Sequence, residues 1–314
     1  MEHLLSELVV VTGGAGYVGS VLVPHLLRNG YRVRVLDNLR FGGEALLPNF
    51  IHPNFSFVEM DILDQPRLRQ NLADADACVH LAALVGYPLC KKFPDEARRV
   101  NFNGAQAVID AVPAAARLLY FSTGSNYGEV VGICDEDTPL NPLSLYGETK
   151  TAAEQAFMER PNTVALRFAT AFGLSPRLRL DLMINDFTYQ ALVNRYLLVY
   201  ERHFRRTFIH VRDMARIVTH LFTVWDQAKN QRINVGHESL NFTKEELVRL
   251  LQSKLQFHSY FADVGADEDK RDYEVSYARV RGLGFTTEVD IQRGLDELIA
   301  GLRLVRIRNP YSNV

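Results

Sequence analysis

Tyr146-Gly147-Glu148-Thr149-Lys150 sets a phenol and an amine four residues apart, and a helix brings such a pair to one face. A phenol with an ordinary pKa near 10 is a poor base at neutral pH, but an adjacent ammonium and an oxidised pyridinium both stabilise the phenolate. The pair could then move a proton while a bound nicotinamide moves a hydride. The same spacing recurs by chance on ordinary amphipathic helices, so a second feature has to carry weight. It is Phe121-Ser122-Thr123-Gly124-Ser125-Asn126-Tyr127-Gly128, where an apolar run ends in hydroxyl side chains. Ser122 and Thr123 fall at the C-terminal edge of a strand, the edge at which open α/β sheets bind ligands.

Near the start, Thr12-Gly13-Gly14-Ala15-Gly16-Tyr17-Val18-Gly19 contains the spacing Gly14-x-Gly16-x-x-Gly19 between a predicted strand and a predicted helix. Glycines there let the backbone approach a pyrophosphate, and the helix N-terminus offers free N–H groups to the anion. Asp37 ends the next strand, where a carboxylate can accept hydrogen bonds from both adenosine ribose hydroxyls. Together these point to a dinucleotide site rather than to a glycine turn that only eases helix packing. The carboxylate would repel a 2′-phosphate, which favours NAD over NADP. Arg40, close by in sequence, pulls the other way.

Positioning these groups requires a parallel sheet. Apolar runs alternate with amphipathic stretches through about residue 170, the βαβα pattern of a doubly wound parallel sheet covered on both faces. Strands are predicted at 7–12, 32–37, 55–59, 77–82, 117–122 and 163–168, and helices at 17–28, 65–72, 95–112 and 144–159. Asn29-Gly30 closes the first helix with a left-handed cap. After residue 170 the pattern loosens, and 174–206 is rich in Arg and aromatics. The expected division is a dinucleotide-binding domain from 1–173 with about 207–236, and a smaller, discontinuous α/β substrate domain from 174–206 with 237–314.

Composition narrows the function classes. With 47% apolar residues in 314, the chain can bury a large core, and 35 basic against 37 acidic residues leave a formal charge of −2. That argues against nucleic-acid or acidic-membrane partners. Cys78, Cys90 and Cys134 lie apart without metal-ligand spacing, so neither a metal site nor a disulfide framework is expected. No run of 18 apolar residues occurs, so no membrane span is predicted. The opening MEHLLSEL lacks the basic start and apolar block of an export signal, and a cytoplasmic location is expected.

Taken together, TGGAGYVG, HLAA (His80 to Ala83), the ST-x-x-x-YG strand end and YGETK resemble the extended short-chain dehydrogenases, specifically the NAD-dependent nucleotide-sugar epimerases and dehydratases. The likeness continues through Arg206-Thr207-Phe208-Ile209-His210-Val211-x-Asp213 and the late Leu283-Gly284-Phe285. It implies a Rossmann sheet, NAD as cofactor, a nucleotide-diphosphate sugar as substrate, and a homodimer paired through the helices at 95–112 and 144–159. It also implies catalytic roles for Thr123, which would bond the hydroxyl being oxidised, Tyr146, which would accept its proton, and Lys150, which would hold the nicotinamide ribose. Cofactor contacts would come from Gly13, Gly16, Tyr17, Val18, Gly19, Asp37, Asn38, Asp61, Ile62, Leu81, Ala82, Ala83, Asn101 and Ser122, besides Tyr146 and Lys150. On the substrate side stand Ser125, Asn126 and Asn185, with Arg206 and Arg271 for the diphosphate, where guanidinium pairs phosphate oxygens bidentately.

Two departures bear on the reaction. The 4,6-dehydratases of this family carry an Asp-Glu pair directly after the catalytic Thr, and 3,5-epimerases a proton-moving Cys at this strand end. This chain has Gly124 and Ser125. The other departure is Arg167-Phe168-Ala169-Thr170, where the family's strand ends in a substrate-contacting Asn; Phe172 and Ser175-Pro176-Arg177-Leu178-Arg179 then line an unusual entry. What remains needs one hydride and one proton: an NAD-dependent epimerase working through a transient keto-sugar, foremost at C4. A reductase of a 4-keto nucleotide sugar, a dehydratase and a non-catalytic dinucleotide sensor are the alternatives. His210 reads as a structural hydrogen-bonding residue and Cys90 as a plain loop cysteine, while Tyr87 fits either the sugar pocket or loop packing.

Overall fold

The computed structural model describes residues 6–130, 132–262 and 274–305. Seven parallel strands form its central sheet in the spatial order Phe55–Glu59, Arg32–Asp37, Leu8–Thr12, Ala77–His80, Arg117–Thr123, Thr163–Phe168 and Gln231–Val235. This is the doubly wound Rossmann order with a seventh strand added at one edge.

Why the first strand reads as an unbroken apolar run is visible in how its residues divide. Val9 and Val11 join Leu22, Leu26, Val33, Val35, Ile217 and Leu221 on one face, while Leu8 and Val10 join Leu68, Val108, Leu118, Tyr120 and Phe157 on the other. With both faces covered, neither parity can be polar. The helices Gly19–Arg28 and Val211–Thr223 cover the first face, and Gln65–Leu72, Ala105–Ala111 and Leu145–Glu159 the second. Gly30, at φ +85°, takes the left-handed position that ends the first helix.

The helix predicted at 95–112 runs from Pro94 to Ala111, but its centre, Arg99–Gly104, winds as a π-helix. Such turns recur at functional sites, and no periodicity announces them. The six-residue helix Tyr87–Lys92 also escaped prediction, because Gly86-Tyr87-Pro88 reads as a turn.

A third core lies beyond the sheet's edge, where Phe172, Phe187 and Phe208 pack with Leu247, Val248 and Leu251 of the helix Lys244–Gln252 and with Leu295 and Leu298 of the helix Ile291–Leu304. Among the described residues no helix is both long and apolar enough to cross a membrane.

Candidate active site

A cavity of about 330 Å³ opens at the C-terminal ends of the parallel strands, large enough for a small-molecule site. Gly13, Gly16, Tyr17, Val18, Gly19, Asp37, Asn38, Asp61, Ile62, Leu81, Ala82, Ala83, Ser122, Thr123, Ser125, Tyr146 and Lys150 all line it. The fold therefore gathers into one wall residues spread over more than a third of the chain.

Glycine is forced at two points of the first turn. At Gly13, φ is +73° and a Cβ would stand 2.6 Å from the Ala82 amide nitrogen; at Gly19 it would stand 2.5 Å from the Gly14 backbone. A Cβ on Gly16, by contrast, would meet only the Gly13 carbonyl, so its bare face can receive a bulky anion at close range. Asp37 accepts from the Ala15 and Leu39 amides at 3.0 and 2.9 Å. Burial lifts its pKa, and those two bonds act against the lift. A carboxylate has about four acceptor sites, so two protein bonds leave capacity for ribose hydroxyls. Arg40 lines the cavity too, with its charge paired to Glu96 and its guanidinium over the rings of Phe41 and Phe93. These features fit a dinucleotide of the NAD type.

The catalytic end is built on the helix Leu145–Glu159. Ser144 caps it by accepting from the Gly147 amide at 3.1 Å. Lys150 is 4% exposed, with its ammonium 4.1 Å from the centroid of the Tyr120 ring, which faces it as a cation–π partner. Burial pushes the Lys150 pKa down to about 7, although Glu154 and Cys90 both favour its charge. At the end of the strand Arg117–Thr123, the Thr123 hydroxyl donates to Ser125 Oγ at 3.1 Å and accepts from the Ser125 amide at 3.1 Å.

Behind this wall lies a polar hub that the sequence did not announce. Glu154, fully buried, accepts from Ser122 Oγ at 2.6 Å, from Asn126 Nδ2 at 3.0 Å and from Arg167 Nη2 at 2.7 Å. It fastens the helix that carries Tyr146 and Lys150 to the strand end that carries Thr123 and to the neighbouring strand. Ser122 Oγ and Asn126 Nδ2 thus both bond Glu154, while Asn126 Oδ1 is buried with no hydrogen-bond partner among the described residues, and Asn126 does not line the cavity.

Others of the expected residues also sit outside the wall. Asn101, on the π-helical turn, accepts from the Leu84 amide at 2.7 Å and donates to the Leu84 carbonyl at 2.9 Å and to Thr149 Oγ1 at 3.2 Å. It pins the loop after the fourth strand to the catalytic helix. Asn185 is fully buried; its side chain accepts from the Gly173 amide at 2.9 Å and donates to the Arg179 carbonyl at 2.9 Å. Arg206 is 4% exposed within its strand and does not line the cavity. Arg271 lies outside the described residues. Phe172 is fully buried in the third core rather than at an entry. His210 caps the helix Val211–Thr223 by accepting from the Arg212 amide, and burial lowers its pKa to about 4. Cys90 is buried and its thiol pushed up to about 11 by that burial. Tyr87 lines the cavity, with the Lys91 ammonium 5.3 Å from its ring.

Tyr17 reaches further than a phosphate-loop residue needs to. Its hydroxyl donates to the Gly173 carbonyl at 2.7 Å, while Ser175 Oγ donates to the Tyr17 carbonyl at 2.6 Å. The first turn is thereby stapled to the segment that carries Arg177 and Arg179, both of which line the cavity.

A model of the NAD-dependent epimerase/dehydratase family matches residues 9–236. The chain belongs to this family. The low-salt glycan biosynthesis protein Agl12 of Haloferax volcanii is 30% identical over 301 residues, covering 93% of this chain and 97% of that protein. UDP-glucuronic acid decarboxylase 4 of Arabidopsis thaliana is 30% identical over 316 residues, covering 94% and 68%. Among solved structures, MoeE5 in complex with UDP-glucose and NAD superposes with a TM-score of 0.78 at 28% identity, covering 94% of this chain and 98% of that one. NAD is the family's cofactor, and it is the cofactor of this protein.

Proposed function

We propose that this family member is an NAD-dependent epimerase of a nucleotide-activated sugar, inverting a carbinol, foremost C4, through a transient keto-sugar. One observation carries the reading. Thr123, Tyr146 and Lys150 share one cavity, while the carboxylates lining that cavity, among the described residues, are Asp37, Asp61 and Glu96. Asp37 ends the second strand, Asp61 follows the third by two residues and Glu96 pairs with Arg40, so all three sit at the adenosine end. Among the described residues lining the cavity, no carboxylate or thiol stands with Tyr146 to supply the acid and base that eliminating water requires.

NAD bound here would accept a hydride from the sugar and give it back. Tyr146 Oη takes the proton of the sugar hydroxyl and later returns it, Thr123 holds that oxygen, and Lys150 keeps the phenolate charged state accessible. Between the two proton transfers the keto-sugar has to turn over so that its other face meets the cofactor. Gly13, Gly16, Asp37 and Asp61 would hold the dinucleotide at the opposite end. The chain would act on a nucleotide-diphosphate sugar in the cytoplasm, in two domains divided at 1–173 with about 207–236 and 174–206 with 237–314. It would work as a homodimer whose helices at 94–111 and 145–159 pair; Phe102, in the first of these helices, is 41% exposed.

Purified protein loaded with NAD should invert nucleotide sugars without net consumption of added NADH, as read by NMR of the products. Water-loss products, or NADH consumed in step with product, would overturn the proposal.

A further inference from the structure

Arg179 is another cation, besides Lys150, on the wall of the cavity that holds Tyr146. It lines the wall, its Nη2 lies 3.5 Å from where a Cβ on Gly86 would stand, and its guanidinium is within electrostatic reach of both Tyr146 and Tyr17. Burial works against its charge, and Asp181, Tyr146 and Tyr17 more than offset that. Arg177, two residues earlier, turns elsewhere: its Nε donates to the Phe41 carbonyl at 3.2 Å and its guanidinium lies 5.2 Å from the centroid of the Phe41 ring.

Asp181 engages one edge of the Arg179 guanidinium, accepting from Nε at 3.1 Å and from Nη2 at 2.5 Å. A guanidinium carries five N–H donors. The second fork, formed by Nη1 and the other Nη2 hydrogen, is left, and among the described residues nothing accepts from Nη1. Asp181 lies two residues away on the same segment, and Asn185 accepts the task of fixing the backbone by donating to the Arg179 carbonyl. The arginine is therefore braced from one side with a bidentate edge presented to the cavity. A neutral hexose offers only hydroxyls to such an edge, each taking one donor at a time. A planar carboxylate matches it atom for atom.

We infer that Arg179 reads a carboxylate on the sugar, so that the substrate is a nucleotide-activated uronic acid whose acidic group flanks the reacting carbinol. This rests on the reading of Tyr146 as the group that meets that carbinol.

The test compares UDP-glucuronate, UDP-glucose and UDP with the NAD-loaded protein, by calorimetric Kd and by kcat/KM, in wild type, R179K and R179A. Wild type should favour the uronate over the hexose by roughly tenfold to a hundredfold, the value of a charge-assisted fork. R179A should erase that preference, and R179K, which keeps the charge without the fork, should fall between. Retained NAD in each sample reports folding. The inference is overturned if wild type shows no preference, binding of neither sugar included, or if R179A weakens UDP as much as UDP-glucuronate, which would assign Arg179 to the diphosphate. Uronate preference without an inverted product would sink the epimerase reading and leave Arg179 standing; inversion of UDP-glucose as efficient as that of the uronate would do the reverse.

Discussion

The two ends of the cavity are built by different means. At the proposed adenosine end the wall is backbone and one carboxylate: the bare face of Gly16, the turn forced at Gly13, and Asp37 braced by the Ala15 and Leu39 amides. At the proposed sugar end it is long side chains delivered from distant segments, with Arg179 braced by Asp181 and Asn185, and Tyr146 and Lys150 held against Thr123 through Glu154. A backbone site tolerates one ligand and recurs wherever that ligand is used. A site made of braced side chains can be re-specified by changing a brace, which is how one fold serves many sugars.

Substitutions at the sugar end should separate chemistry from cofactor binding. Tyr146→Phe removes the proposed proton carrier and should lower kcat by about 10²–10⁴ while NAD stays bound; equal loss of NAD would merge the two ends into one unit. Glu154→Ala would leave Arg167 charged and buried at 3% exposure, at a cost of about 3–5 kcal/mol in urea unfolding. A loss under about 1 kcal/mol would mean the hub does not fasten the catalytic helix to its strand.

Acid should act through the scaffold beneath both ends. Burial lowers the pKa of His80, which shares a 2.7 Å hydrogen bond with Thr12 Oγ1, to about 3, and that of His210 to about 4. The unfolded chain protonates both imidazoles below their ordinary value of 6.5, whereas the folded protein keeps them neutral. Stability is therefore lost as pH falls from about 6.5 towards 4, by about 1.4 kcal/mol per pH unit for each group. His80→Asn should flatten that slope by one proton, and an unchanged slope would contradict the burial of a neutral imidazole. The smallest effect is expected at the seam between the ends. Tyr17→Phe loses the bond to the Gly173 carbonyl, worth about 0.5–1.5 kcal/mol, and should raise KM for the nucleotide sugar more than Kd for NAD. An equal rise in both would place Tyr17 wholly at the cofactor end.

The same contrast explains what could be read from the chain. The glycine turn, Asp37, the Tyr-x-x-x-Lys pair and the six predicted strands are local patterns, and all the strands recur in the sheet. The long helix at 94–111 was legible as a helix, yet its π-turn was not, since a π-turn depends on what Asn101 bonds rather than on apolar spacing. Asn126 and Asn185 are expected as substrate contacts from the family resemblance alone, but whether such an amide faces a cavity or a buried partner is settled by packing. Arg177 and Arg179 stood out only as an unusual entry, because no periodicity tells that Asp181 braces one and that Phe41 receives the other.

The most direct test supplies the NAD-loaded protein with UDP-glucuronate and UDP-glucose deuterated at C4, in ordinary water, and follows the label by NMR and mass spectrometry. A proton carried by Tyr146 and a hydride lent and returned predict an inverted C4 that keeps its deuterium in the product. Deuterium replaced from solvent at the inverted carbon, or product that has lost water or carbon dioxide without inversion, would contradict it.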